Sequence, residues 1–272
     1  MAEENITRIH LDGKEYILIG TAHVSRQSAQ QVKEVIEAER PDSVCIELDA
    51  QRYQAIVDGN RWKDTDIFKV IKEKKASLLL INLAVSSFQK RIATQFGIQP
   101  GAEMLQGAAS AKEVGAELVL ADRNIQITFA RIWHNVGFWG KVRLLAQIIG
   151  SIFSTETITE EELEKMKSKD MLDAVLEEFT QSFPRLKEPL IDERDKYLAQ
   201  KIKEAPGNKI VAVLGAAHVP GITEQIKHEH DLAALDELPP KSVVPRIVGW
   251  AIPILIVALV VYMFFTNPEV GF

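Results

Sequence analysis

Ile17-Leu18-Ile19-Gly20-Thr21-Ala22-His23-Val24 and Ala212-Val213-Leu214-Gly215-Ala216-Ala217-His218-Val219 are two copies of one word, set 195 residues apart. Each is a branched apolar run that stops at Gly, passes two small residues and presents a His. An uninterrupted apolar run of this length reads as a buried strand, and Gly allows the close approach or unusual backbone angle needed where a strand turns into a loop. Both histidines are therefore expected at the carboxyl ends of strands, the edge of an open α/β sheet where ligands bind. One such His is ordinarily a satisfied strand-end residue. A matched pair points instead to one shared pocket, because His is the commonest metal ligand and general base.

The flanking sequence extends this reading. Residues 6–19 alternate around Asp12-Gly13 and predict a β-hairpin. After His23, Ser25 is placed to cap a helix whose Ala29, Val32, Val35 and Ile36 share one face, and Pro41 stops it. Residues 43–48 form a second apolar strand ending in Glu47 and Asp49. The βαβ unit so formed predicts two neighbouring parallel strands, with Glu47 near His23. Farther on, Pro100-Gly101 precedes a helix starting at Glu103. Residues 117–121 make a third strand ending in Asp122-Arg123. One helix is expected over 187–204, carrying Glu193-Arg194-Asp195, and residues 209–214 return as the strand leading to His218. The fold class expected is α/β: a mainly parallel central sheet with helices around it and a large helical insertion, plus a C-terminal transmembrane helix.

That insertion covers the middle of the chain. Residues 76–88 are mostly apolar but too short to span a bilayer, so they read as a buried helix. Residues 129–153 mix Trp133, Phe138, Trp139 and Phe153 with Arg131, Lys141 and Arg143, which suits an interfacial helix or one covering the site. Thr159 and Glu162 give a capping-box signal. At the far end, the 19 uncharged residues 247–265 would span roughly 28 Å as a helix, close to the hydrocarbon thickness of a membrane. Trp250 and Tyr262 stand near its two ends, as interface aromatics do. The expected division is an α/β domain over 1–238, a Pro-rich linker over 239–246 and the membrane helix over 247–265. This describes a tail-anchored protein or the front part of a longer membrane protein.

The acidic, polar amino terminus predicts no secretory signal. Lys241 and Arg246 before the apolar stretch favour a cytoplasmic amino-terminal domain in a cell-membrane protein. A formal charge of -6, with no block of Lys and Arg, excludes a nucleic-acid binder that works by neutralising phosphates. A single cysteine, Cys45, excludes an internal disulfide framework and a Cys-rich zinc site.

Gathered at strand ends, His23, Glu47 and His218 suit a divalent transition ion, Mn²⁺, Co²⁺ or Zn²⁺, with a position open for water. Without a metal, the same residues serve a His general base oriented by Glu47 or Asp122. Arg194 and Arg123 are candidates to stabilise an oxyanion, and Glu193 to act as base or ligand. Neighbouring acids and bases on a helix are also commonly solvated surface charges. Glu103, at a helix start, has a capping reading as well.

The chain resembles the TraB family of pheromone-shutdown proteins, within the wider group that includes the Tiki proteases and erythromycin esterases. The matching words are Gly-Thr-Ala-His-Val-Ser at 20–25, Glu-Leu-Asp at 47–49 followed by Arg52, Pro-Gly-Ala-Glu-Met at 100–104, Asp122-Arg123, Arg131, Glu193-Arg194-Asp195, and Gly-Ala-Ala-His-Val-Pro-Gly at 215–221. The resemblance implies a hydrolase-like or metalloprotease-like α/β domain, distinct from the serine α/β-hydrolase fold. It further implies a role in inactivating or limiting a peptide signal. By resemblance the pocket would hold His23, Glu47, Arg52, Glu103, Asp122, Arg123, Glu193, Arg194 and His218, with Gly20 and Gly215 shaping its walls. A peptide signal outside the cell would put the domain on the outer face, so both sides of the membrane stay open. Two functions are implied: a membrane-anchored, metal-dependent peptidase, or a protein that sequesters a peptide or hydrophobic ligand without cleaving it. The oligomeric state is not legible.

Overall fold

The computed structural model describes residues 5–21, 26–58, 101–137, 140 and 184–240. His23, the 76–88 and 159–162 segments, most of 138–153 and the 247–265 stretch lie outside the described residues. Strands β1 (Ile6–Leu11) and β2 (Lys14–Thr21) form the expected hairpin. Asp12 and Gly13 at its tip both have positive φ, 51° and 79°, the conformation a two-residue turn of type I′ requires. Helix α1 (Arg26–Glu39) comes next, and Arg40 turns into the left-handed region just before Pro41. It leads to β3 (Ser43–Ile46), α2 (Ala50–Asp58), α3 (Ala102–Val114), β4 (Glu117–Leu120) and α4 (Ile125–Asn135). The last part holds α5 (Pro184–Lys187), a π-helical turn (Glu188–Asp192), α6 (Glu193–Lys203), β5 (Lys209–Gly215), a 3₁₀ turn (Ala216–His218), α7 (Val219–Gln225) and α8 (Leu232–Asp236).

The five strands lie in the order β1-β2-β5-β3-β4, with every pair parallel except the hairpin. The βαβ expectation is corrected here: β2 and β3 are parallel but not adjacent, because β5 lies between them. The reason is burial. Ile210 to Leu214 are all fully buried, so this strand needs a parallel neighbour on each side and a helical layer on each face.

Strand alternation divides the core. Ile17, Ile19, Val44, Ile46, Val211 and Val213 face α1 and α3, meeting Val32, Ile36, Met104 and Ala111. Tyr16, Leu18, Cys45, Ala212 and Leu214 face the other way, onto Leu198 and Ile202 of α6 and Ile222 of α7. Each large aliphatic side chain so buried contributes about 1.5–3 kcal/mol. The result is a three-layer α/β/α body whose parallel strands all end at one edge.

The single helix expected over 187–204 is also corrected. Its first part widens into a π turn, with the Glu193 N–H bonded to the Glu188 carbonyl five residues back. Pro189 has no N–H to give to a regular α ladder, and the extra residue in the turn re-aims the start of α6. That start is the charged triplet Glu193-Arg194-Asp195.

Candidate active site

The first residues beyond β3, β4 and β5 supply the charged groups at this edge. The β3 strand is shorter than the sequence suggests, ending at Ile46, so Glu47 belongs to the turn. It is held in two ways: its N–H donates to the Val213 carbonyl at 3.1 Å, and its Oε2 accepts the Gly215 N–H at 2.7 Å. Asp49 caps α2 by accepting the backbone N–H groups of Gln51 and Arg52 at 2.8 and 3.1 Å. Asp122, two residues past β4, fixes its Oδ1 on the Arg123 N–H at 2.7 Å.

Arg194 joins these groups. Its Nη2 donates to Glu47 Oε1 at 2.5 Å and to Asp122 Oδ2 at 2.7 Å, and its Nε to Asp122 Oδ1 at 3.2 Å. Its Nη1 lies 3.0 Å from His218 Nε2. A guanidinium can only donate, so Nε2 accepts and the imidazole proton resides on Nδ1. That nitrogen donates to Asp195 Oδ1 at 2.5 Å. Arg52 completes the group, bonding Asp49 Oδ2 through Nε at 2.7 Å and Asp122 through Nη2.

This arrangement sets the electrostatics. Burial alone would push the Asp122 carboxyl up, but the Arg194 and Arg52 charges overcome it and hold the group below the usual carboxylate range. For Arg194, burial opposes the charged form, and Asp122 and Glu47 more than offset it, raising its pKa. Burial raises the Asp195 carboxyl, opposed by the bond to His218.

The structure thus brings together Glu47, Arg52, Asp122, Arg194 and His218 from the expected set. Two others, Arg123 and Glu193, form a second cluster. Arg123 is completely buried and donates to Thr128 Oγ1 at 3.1 Å, Glu193 Oε2 at 2.7 Å, the Leu235 carbonyl at 3.1 Å and the Pro189 carbonyl at 3.0 Å. The other Glu193 oxygen takes Arg131 Nη1 at 2.8 Å, and Arg131 Nη2 reaches the Ala234 and Glu237 carbonyls at 2.6 and 2.9 Å. This cluster ties α4, the π turn, α6 and α8 together, and it meets the first through the Arg123 N–H on Asp122.

Glu103 is buried in the first turn of α3, where a carboxylate also suits the helix dipole. Gly20 serves close approach: a Cβ there would lie 3.2 Å from both Ala216 Cα and Val219 Cγ2, in the turn that leads to His218. Gly215 contributes its N–H to Glu47. Asp49 and Asp195 were not expected in the site. Asp49 lies two positions after Glu47, and Asp195 belongs to the charged triplet, so adjacency was the available signal. Among the described residues no three His, Cys, Asp or Glu side chains are grouped to hold a metal ion, and His23, the expected third ligand, lies outside them. None of the described helices is long and apolar enough to cross a membrane.

A mainly parallel sheet with a carboxylate, arginine and histidine cluster beyond its strand ends defines an α/β protein with a polar candidate site at that edge. Residues 5–231 match the TraB/PrgY/gumN family, and the chain belongs to it. It is 32% identical over 264 residues to an uncharacterised protein of Methanocaldococcus jannaschii, covering 93% of this chain and 66% of that protein. It is 27% identical over 262 residues to the TraB domain-containing protein of Mus musculus, covering 87% of this chain and 69% of that one. For the TraB domain-containing protein of Homo sapiens the identity is 26%, with the same coverage. The chain therefore spans about two thirds of the length of these curated relatives.

Proposed function

We propose that this chain is a membrane-anchored, metal-assisted hydrolase that cleaves an amide bond in a peptide and so limits a peptide signal. The observation supporting it most directly is the separation of Glu47 Oε1 and His218 Nε2, which stand 3.5 Å apart. Two ligands of one tetrahedral ion, each about 2.0–2.1 Å from it, lie about 3.4 Å apart. The charge balance agrees, since four carboxylates (Glu47, Asp49, Asp122 and Asp195) share the centre with two guanidiniums (Arg52 and Arg194). His218 and Glu47, joined by His23 from the first word, would hold Mn²⁺, Co²⁺ or Zn²⁺ once Arg194, which donates to both Glu47 Oε1 and His218 Nε2, turns away from these two atoms. When bound, such an ion makes water acidic enough to act as a nucleophile near neutral pH.

The protein's own groups have separate tasks. Arg194, a donor fixed by Asp122, supplies the positive charge that a tetrahedral oxyanion needs. Arg52 holds Asp122 ionised and so keeps Arg194 in place. Of the two acids considered as proton acceptors, Glu47 stands beside His218 Nε2, whereas Glu193 lies in the separate cluster with Arg123 and Arg131. The anchor is supported by the length and lack of charge of 247–265.

The test is peptide turnover by the full chain after chelation, with Mn²⁺, Co²⁺ or Zn²⁺ restored. His218→Ala should abolish both turnover and metal retention. Conservative loss of the Arg194 donor, as Arg194→Lys, should lower the rate about 10²- to 10³-fold with metal retained. Wild type that cleaves nothing with any of the three ions, yet binds a peptide as well as His218→Ala does, would establish the sequestering function instead.

A further inference from the structure

Gly221 lies in the first turn of α7, and glycine favours a helix less than alanine does. Its backbone gives no reason for the choice, since it is absent from the positive-φ glycines of the described chain. The reason is spatial. A Cβ built on Gly221 would overlap Asp195 Oδ2 and lie 2.6 Å from its Cγ and 3.2 Å from its Cβ. The carboxylate occupies the space a side chain would fill, and from there it takes the Nδ1 proton of His218 at 2.5 Å.

We propose that Asp195 is a positioning residue for His218 and that Gly221 is its seat: the missing side chain at 221 admits the carboxylate, which holds the ring by its Nδ1–H and, together with Arg194 donating to Nε2, fixes the Nδ1–H tautomer. The Nε2 lone pair is then presented toward Glu47 and Arg194. Asp195 and Gly221 sit on different elements, α6 and α7, and pack directly on one another. A carboxylate holding the remote N–H of a reactive imidazole sets both its tautomer and its orientation. The functional significance rests on the hydrolase reading of His218, whereas the tautomer is a property of the resting protein.

The experiment uses the full chain in detergent micelles, freed of metal by chelation and labelled with ¹⁵N-histidine. His218 is assigned among the six histidines by its loss in His218→Gln. Wild type should show the His218 proton on Nδ1. In the Arg194→Met background, where no guanidinium holds Nε2 as an acceptor, Gly221→Ala and Asp195→Asn should shift the pattern toward a mixture of tautomers, because the carboxylate is displaced in one and replaced by an ambivalent amide in the other. An unchanged Nδ1–H pattern in both variants overturns the proposal. A thermal-melting cycle covers poor folding: Gly221→Ala should lower Tm in the wild-type background and leave it unchanged or raise it when Asp195 is Ala. Equal losses in the two backgrounds would show that the glycine is not a seat. Where turnover is measurable, both variants should lower kcat about 10- to 100-fold with KM retained. Absence of any turnover in wild type would remove the hydrolase reading while leaving the tautomer and melting results to decide this one.

Discussion

Replacing Arg194 with Met tests the electrostatics of the centre most severely. The substitution keeps much of the side chain's bulk and removes the donors to Asp122 and Glu47 and the one facing His218 Nε2. Asp122 would keep Arg52 and the Arg123 N–H, whereas Glu47 Oε1 would lose its guanidinium partner. Removing one member of a buried ion pair typically destabilises by about 3–5 kcal/mol, and that is the loss expected near pH 7. The loss should also depend on pH. In the wild type the Asp122 pKa is depressed, so its stabilising contribution is complete above the ordinary carboxylate value of about 4 and is lost only as pH falls toward the depressed value. In the variant the burial effect on Asp122 is opposed by one arginine rather than two. Its pKa rises toward the unfolded value, so the variant gives up less stability on acidification than the wild type does. The destabilisation should therefore shrink as pH falls from 7 through about 4. Chemical denaturation of both proteins across that range measures it. A loss below about 1 kcal/mol at pH 7, or one that stays constant toward acid, would refute the reasoning.

Two other outcomes are expected. A chain truncated after Leu238 should partition into the aqueous phase on detergent phase separation while the full chain partitions with detergent, and a full chain found in the aqueous phase would overturn the anchor. Burial pushes the Cys45 thiol up to about 12, so it should react with a thiol reagent at the rate of unfolding, and rapid labelling of the native protein would show that β3 is not central to the core.

Much of the sheet was legible because its signals are local. Asp12-Gly13 specifies a hairpin through its backbone preferences, and the apolar runs of β2, β3 and β5 specify buried strands through composition. The slot of β5 between β2 and β3 was not legible, since a βαβ word sets handedness and direction but does not say whether a later strand will enter between. The π turn was hidden for a similar reason. Pro189 signals that a regular ladder fails, but the form of the failure depends on packing, including the Pro189 carbonyl's bond to Arg123. In the site, residue type and strand-end position were enough to collect Glu47, Asp122 and His218, while Arg194, on a helix, came with the family resemblance. They could not separate Arg194, which binds Glu47 and Asp122 and faces His218, from Arg123, which ties helices together, because both are arginines next to an acid in sequence. Only the sharing of acceptors in space distinguishes them.

The register of β2 against β5 explains why the repeated word works as a unit. Gly20 pairs with Leu214 and Thr21 with Gly215, so the two words run side by side and leave the same edge, offset by one residue. Because of that offset, the turn after Gly215 crosses over Gly20, and Ala216 and Val219 come within contact of the space a side chain at 20 would occupy. The small residue in the first word thus sets the path of the second word, and that path fixes where His218 begins. Thr21 adds a restraint by donating its hydroxyl to the Leu214 carbonyl at 3.0 Å, tying the ends of the two strands together. The geometry at His218 therefore depends on residues 195 and more positions earlier in the chain. A strand end alone would not place an imidazole to within hydrogen-bond tolerance. The paired words do so because Gly20 and Thr21 of the first limit the path of the second, while α6 supplies Arg194 and Asp195 on either side of the ring.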